Sequence, residues 1–347
     1  MEQLVAFEGY EYKLTSGTSG LQINVKTCPN CHRDDWKVYF NAESGLGNCF
    51  GCETGYSKYK FVKISRGFTN AGDVFRYVNG LGDSVTYRPK VRSTYSKINK
   101  DWKFPANIAI KSVTDIPSYL TDRGIDLKII ERFDLRVCNA GFYTYENYTG
   151  KNASVDFSNR VIIPIRDIDG ELVTFQGRDV TGTGEKKYLF PNLLPASGAY
   201  IYNADYALKN NFKRIVINEG VFDVFATTQA LESDVTFGEY CAVGTFGKHL
   251  GIDRYGVAVT DQLKDLFRLR ENGLDEVVIL WDGERKARIA AMEAALKLSA
   301  YGFNNVKVGF LPEGCDPAET TKEEVLNAIT EAVNVTPLSL AIYRINN

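Results

Sequence analysis

Two sets of side chains in this sequence have the types and spacing to do chemistry. The first is Cys28-Pro-Asn-Cys31 with Cys49-Phe-Gly-Cys52, two C-x2-C steps. Each step can turn as a tight knuckle with both sulfurs facing one ion, and two knuckles complete the tetrahedral thiolate shell that zinc prefers in closed structural sites. A pair of disulfides is the alternative. Against it, Cys138, Cys241 and Cys315 are isolated, and MEQLVAFEGYEY has no basic start followed by an apolar run, so a reducing compartment is expected. His32 adjoins Cys31 out of ligand spacing and is expected to be exposed.

The second set is acidic. Glu219 follows RIVIN (214–218), Asp282 and Glu284 follow the apolar run 277–280, and Asp316 comes shortly after NVKVGFL (305–311). In an open parallel sheet the carboxyl ends of the strands share one edge, the usual place for a ligand. Carboxylates gathered there repel one another unless a cation neutralises them, and hard oxygen ligands suit Mg²⁺ or Mn²⁺. Solvated turn carboxylates are the alternative for each acid taken singly.

The elements that must position these groups can be read from periodicity. The run 277–280 has the continuous apolar character of a strand covered on both faces, and Ile289, Met292 and Leu296 recur at helical spacing behind it. RIVIN, a helix from Val221, a strand at 240–243, a helix at 261–272 capped by Thr260 and a strand at 305–311 complete a β-α alternation. Thr320 and Glu323 suit a capping box for a last helix. Upstream, RVIIPI (160–165) and LVTFQGR (172–178) read as a hairpin, and 115–137 as two short helices broken at Gly124. WKVYF (36–40) reads as a strand of a ribbon and 43–47 as a turn; Trp36, Tyr39 and Phe50 are as suited to its surface as to its core.

The chain has 347 residues, 44% hydrophobic, with a net charge of −2, enough for several cored domains and without the overall basicity of a nucleic-acid binder. The basic residues are instead concentrated. TYRPKVRSTYSKINKDWKF (86–104) holds six lysines and arginines against one aspartate and reads as a tether. No apolar run approaches the roughly 18 to 20 residues of a membrane span, so a cytoplasmic protein is expected.

Glu219-Gly220, WDGERKARIAAM and LPEGCDPAE together resemble the three-part acidic signature of the Toprim domain, and more narrowly that of the bacterial-type (DnaG-like) primases and their phage relatives. The usual Asp-Gly-Asp reads Asp282-Gly283-Glu284 here, with Ala287 where a glycine often stands. CPNC…CFGC followed by GDVFRYVNGL is similar to the zinc domain of those primases, in the all-cysteine version of phage members. The resemblance runs from Cys28 to Glu319.

The resemblance implies a fold that is α/β and α+β in several domains: a zinc ribbon for template recognition (1–85), a basic linker (86–104), a mixed α+β basic subdomain of an RNA polymerase core (105–210), a Toprim-type parallel α/β subdomain (211–319) and a C-terminal helix and tail (320–347). It implies a phage-type DNA primase that copies single-stranded DNA into short RNA primers from ribonucleoside triphosphates. Structural Zn²⁺ would sit on Cys28, Cys31, Cys49 and Cys52, and catalytic Mg²⁺ or Mn²⁺ on Glu219, Asp282, Glu284 and Asp316. By position, Arg178 and Lys187 would face template or nucleotide, with Arg160 and Arg166 as further candidates. A replicative helicase would be a separate partner, because no G-x4-G-K-S/T phosphate loop is present. Two rivals stand beside this reading: another Toprim enzyme, nuclease or topoisomerase-like, and a degenerate module that only grips single-stranded DNA.

Overall fold

The computed structural model describes residues 1–17, 20–70, 73–74, 77–78, 101–147, 150–247, 250 and 261–346. Thr260, Lys248, His249 and most of the basic segment 86–104 lie outside the described residues. The chain divides into two units. The first holds Met1–Lys100 with the short pieces Tyr145–Ala153 and Asn192–Leu194, and the second holds the rest.

The first unit is built on a five-stranded antiparallel sheet in sequential order, Tyr12–Gly17, Gly20–Thr27, Asp34–Asn41, Gly47–Cys49 and Gly55–Tyr56. Alternation sends Ile23, Val25, Val38 and Phe40 inward, where Val5, Tyr56 and Phe61 join them. Phe61 comes from the helix Lys58–Ser65, whose N-cap Ser57 accepts from the backbone N–H of Lys60. Tyr39 and Phe50 stay out of this core: they meet edge-on at 5.6 Å, and Phe50 is 67% exposed. Trp36 is half-buried under the Lys13 ammonium.

Among the described residues, the second unit contains two five-stranded sheets. One is antiparallel, ordered from Tyr188–Leu189 through Leu172–Asp179, Arg160–Arg166 and Arg136–Cys138 to Ile108–Ala109. Its central pair is the expected hairpin, with all but Arg166 and Leu172 buried. The two short helices before it, Ser118–Thr121 and Leu127–Arg132, are separated at Gly124, whose φ of +67° ends the first helix in a left-handed turn.

The other sheet orders its strands Tyr240–Gly244, Arg214–Asn218, Glu276–Ile279, Val306–Val308 and Val333–Asn334, parallel except for the last. Helices Val221–Ser233, Asp261–Glu271 and Arg285–Ala300 connect the parallel strands. From Arg214–Asn218 the chain moves to one neighbour and then returns to the other, so that strand marks the switch point of the sheet.

Several details differ from expectation. The third acidic strand is only Val306–Val308, with Gly309 N making one further bond to Ile279 O at 3.0 Å. The capping box is Thr321 with Glu324, one residue later than Thr320 and Glu323: the Thr321 hydroxyl accepts from Glu324 N, and the Glu324 carboxylate accepts from Thr321 N. The segment after 319 is integrated with the sheet, since Val333–Asn334 pairs with its edge and Leu340 of the helix Pro337–Asn346 enters its core. In Arg285–Ala300, Ala287, Ala291, Ala294, Ala295 and Leu298 are buried with Met292, whereas Ile289 and Leu296 pack only partly; small residues let this helix lie close to the sheet. No helix among the described residues is long and apolar enough to cross a membrane.

Candidate functional site

In the first unit, the sequence-local turns at 28–31 and 49–52 bring four thiols together. Cys28 and Cys52 sulfurs are 3.8 Å apart, Cys31 and Cys49 sulfurs 4.0 Å, and all four lie within 4.8 Å of one another. A tetrahedron with metal–sulfur bonds of about 2.3 Å has edges of about 3.8 Å. The surroundings suit thiolates: Gly51 N donates to Cys49 Sγ at 3.3 Å, Cys31 N to Cys28 Sγ at 3.5 Å and Asn30 Nδ2 to Cys52 Sγ at 3.6 Å. Donor type and spacing therefore fit zinc. Among the described residues no other cluster of cysteine, histidine or acid side chains is gathered as closely. His32 is exposed and adds no ligand; its N–H donates to Cys28 O at 2.8 Å.

The acids of the second unit are assembled by main chain. Buried Asn218, the last residue of its strand, donates through Nδ2 to Leu280 O at 3.2 Å and to Thr227 Oγ1 at 3.0 Å, so Glu219 and Asp282 leave adjacent strand ends that are locked together. Gly283 N donates to Cys315 O at 2.7 Å. A Cβ on Gly283 would lie 1.9 Å from Pro312 O and 3.2 Å from Cys315 O. Only glycine permits this approach, which places Asp282 beside the loop that ends at Asp316.

One acid absent from the expected set lies among them. Asp223, in the first turn of Val221–Ser233, is 8% exposed, and its Oδ2 accepts from Gly220 N at 2.8 Å. Burial, and then the charges of Asp316, Asp282 and Glu219, hold its carboxyl well above the ordinary aspartate range despite the Gly220 donor. Glu219 and Asp282 follow adjacent strands, and the bond from Gly283 N to Cys315 O brings the loop bearing Asp316 to the residue beside Asp282. The signal was legible: Val221, Phe222, Val224 and Phe225 are all apolar, so an acid set in that run must go inward. Glu284 is the exposed N-cap residue of Arg285–Ala300, without a side-chain capping bond. Asp316 Oδ1 accepts from Ala318 N at 2.9 Å.

The cationic candidates divide by burial. Arg178 is 7% exposed, its guanidinium 4.5 Å from the Tyr188 ring centre, 5.3 Å from Phe222 and 5.5 Å from Tyr119. Phe222 precedes Asp223, so this cage ties the hairpin to the helix bearing the buried acid. Lys187 is exposed. Arg160 is buried with Nη1 donating to Gly177 O at 3.3 Å and Lys186 O at 3.0 Å, and Arg166 is exposed with Nη1 donating to Gly170 O at 2.9 Å.

A family model described as the DNA primase catalytic core, N-terminal domain, matches residues 136–192. The DNA primase of Clostridium acetobutylicum is 25% identical over 92% of this chain and 55% of its own length, and that of Geobacillus stearothermophilus 27% over 80% and 49%. The chain thus spans about half the length of the curated relatives it matches. Among solved structures, it is similar to a DnaG catalytic core at 25% identity and TM-score 0.49, covering 66% of this chain and 74% of that one. It is also similar to the zinc-binding and RNA polymerase domains of the Aquifex aeolicus primase at 21% identity and TM-score 0.46, covering 96% and 83%.

Proposed function

We propose that this chain, which is similar to the DnaG-type DNA primases, synthesises short RNA primers on single-stranded DNA by metal-dependent nucleotidyl transfer. The observation that carries the reading is that Glu219 and Asp282 follow adjacent parallel strands, that Gly283 N bonds Cys315 O beside Asp316, and that Asp223 is buried in the helical turn after Glu219. So much like charge in so little water is costly unless a cation is shared. Glu219, Asp282 and Asp316 would hold Mg²⁺ or Mn²⁺, with Asp223 behind them and Glu284 at the exposed rim. Bound there, the ion supplies Lewis-acid stabilisation of the transferring phosphate.

The protein's own residues supply the rest. Asn218 and Gly283 fix the strand ends, so the carboxylates are arranged before substrate arrives. Lys187 is available to a phosphate of the template or the incoming nucleotide, and Arg166 is a weaker candidate for the same role. Arg178, enclosed by three rings, orients the hairpin against the acidic helix. In the first unit, exposed Phe50 beside Tyr39 offers rings on which unpaired bases can stack. The ribbon, the basic core and the parallel sheet are read as template-recognition, polymerase and Toprim parts, and a separate helicase as the partner that delivers template in the cytoplasm; an all-cysteine ribbon fits the phage branch.

The test is incubation with single-stranded DNA of mixed sequence, labelled ribonucleotides and Mg²⁺ or Mn²⁺. Short RNA from the wild type that disappears in Asp282→Ala supports the reading. DNA binding without any RNA, with either metal and with a helicase added, would favour the module that only grips the strand.

A further inference from the structure

Between the strands Leu172–Asp179 and Tyr188–Leu189 runs a loop, VTGTGEKK (180–187), whose residues 181–187 are all exposed. A solvent-facing stretch with two glycines ordinarily samples many conformations. This one is tied from below. Asp179, 8% exposed, accepts from Gly182 N at 2.8 Å and Gly184 N at 3.3 Å through Oδ2, and from the Thr181 hydroxyl at 3.0 Å through Oδ1. Its own N–H donates to Lys187 O at 3.0 Å. Buried Arg160 holds the far end, donating from Nη1 to Lys186 O at 3.0 Å and Gly177 O at 3.3 Å.

The backbone N–H groups of both glycines are therefore turned inward onto a carboxylate. What the loop offers outward is side chain: Thr183, Glu185, Lys186 and Lys187, two lysines against one acid. The fit is close, since a Cβ on Gly184 would lie 2.8 Å from Asp179 Cγ, and Gly182 has a φ of +72°.

We infer that Asp179 and Arg160 are positioning residues that hold loop 180–187 preformed, so that Lys186 and Lys187 together engage a phosphate. The inference deepens the function proposed above and rests on it only for the identity of the phosphate, which is that of the template backbone or of a nucleoside triphosphate. An ordered cationic loop binds without first losing its own conformational freedom, which is why a residue that never touches the ligand governs affinity.

The test uses the full chain with Asp179→Ala, Asp179→Asn, Gly184→Ala and the double variant Asp179→Ala/Gly184→Ala. Hydrogen exchange reads the clasp: the Gly182 and Gly184 amides are protected in the wild type and lose protection in Asp179→Ala. Binding reads the consequence, with a dT oligomer for the template and ATP with Mg²⁺ for the nucleotide. Asp179→Ala and Gly184→Ala each weaken one of these probes by about 10- to 100-fold, the scale of a misplaced contact group, with Asp179→Asn between them and the wild type. The affected probe names the phosphate source. In the double variant the two losses do not add, because the added methyl no longer meets a carboxylate. Where primers are made, the variants raise KM for the affected ligand and leave kcat near the wild-type value.

Unprotected glycine amides in the wild type, or affinities for both probes within about twofold of wild type in a folded Asp179→Ala, overturn the inference. Failure of the functional reading looks different: the wild type then makes no primers, while the exchange and binding arms still give their answers.

Discussion

The two candidate metal centres are built on opposite plans. In the first unit the ligands come from two short turns, and the four sulfurs lie within 4.8 Å of one another. In the second unit the acids leave three strand ends and one helix start, and are brought near one another by a buried asparagine, a glycine contact and the order of the strands. Among the described residues the first unit's core cluster has nine buried residues, Cys28 and Cys49 among them, so its fold is expected to depend on the thiolate site. In the second unit Asp223 is buried, and the charges of neighbouring acids add to burial in raising its pKa. One candidate site draws its ligands from within single turns, and the other from chain segments far apart in sequence.

The largest expected effect comes from the first site. Chelation of zinc, or Cys49→Ser, removes an ion whose binding is worth on the order of 10 kcal/mol in small zinc domains. Loss of amide dispersion in the NMR spectrum of the first unit is the expected outcome; a spectrum unchanged after full metal removal would break the contrast. Asp282→Ala acts the other way, lowering primer synthesis at least ~100-fold while the melting temperature in metal-free buffer holds or rises. Should that variant unfold the second unit, the acids would be structural as well.

Gly283→Ala sharpens the comparison at the level of backbone. Its methyl would overlap Pro312 O, so the 282–284 and 312–316 loops must part, at a cost of about 1–3 kcal/mol and with weaker Mn²⁺ binding. A crystal structure with the loops unmoved would show the glycine to be incidental. The smallest effect lies at the other end of the same strand. Glu276, buried, accepts from Tyr240 OH at 2.5 Å, Lys307 Nζ at 2.8 Å and Asn305 Nδ2 at 2.8 Å. Burial opposes its charge, but Lys307 and Tyr240 prevail and hold its pKa below the usual glutamate value. The unfolded chain then binds the proton more readily, so this stabilisation is full above the ordinary glutamate pKa and fades as pH falls through the lowered one. Glu276→Gln costs about 1 kcal/mol at neutral pH and flattens the acid limb of stability; denaturant melts between pH 3 and 7 that parallel those of wild type would count against it.

How far sequence reaches follows the same division. The knuckles were legible because both ligands of each pair sit within one turn, and His32 was excluded by the same spacing. RIVIN and the hairpin at 160–178 were legible from apolar runs that suit strands buried on both faces. NVKVGFL reads as longer than the strand Val306–Val308, because apolar character runs on through Phe310 and Leu311 after Gly309 N makes a last bond to Ile279 O at 3.0 Å. The capping box slid by one residue because Thr320-Thr321 and Glu323-Glu324 are each doubled, and local pattern does not choose between them. Phe50 could not be assigned to surface or core from strand alternation, as it falls in the turn beyond Cys49. Asp223 lies outside the expected acidic set, although its apolar neighbours Val221, Phe222, Val224 and Phe225 mark it. The inward use of Arg160 was not readable, since it depends on where Lys186 O returns after the loop.

Whether Glu219, Asp282 and Asp316 form a cation site beside Asp223 is tested most directly by Mn²⁺ binding followed by electron paramagnetic resonance in wild type, Asp282→Ala and Asp316→Ala. Saturable binding by the wild type that is lost in both variants, with zinc content unchanged, is the predicted result. Equal Mn²⁺ binding in all three proteins, or none in the wild type even with ATP and template present, would contradict it.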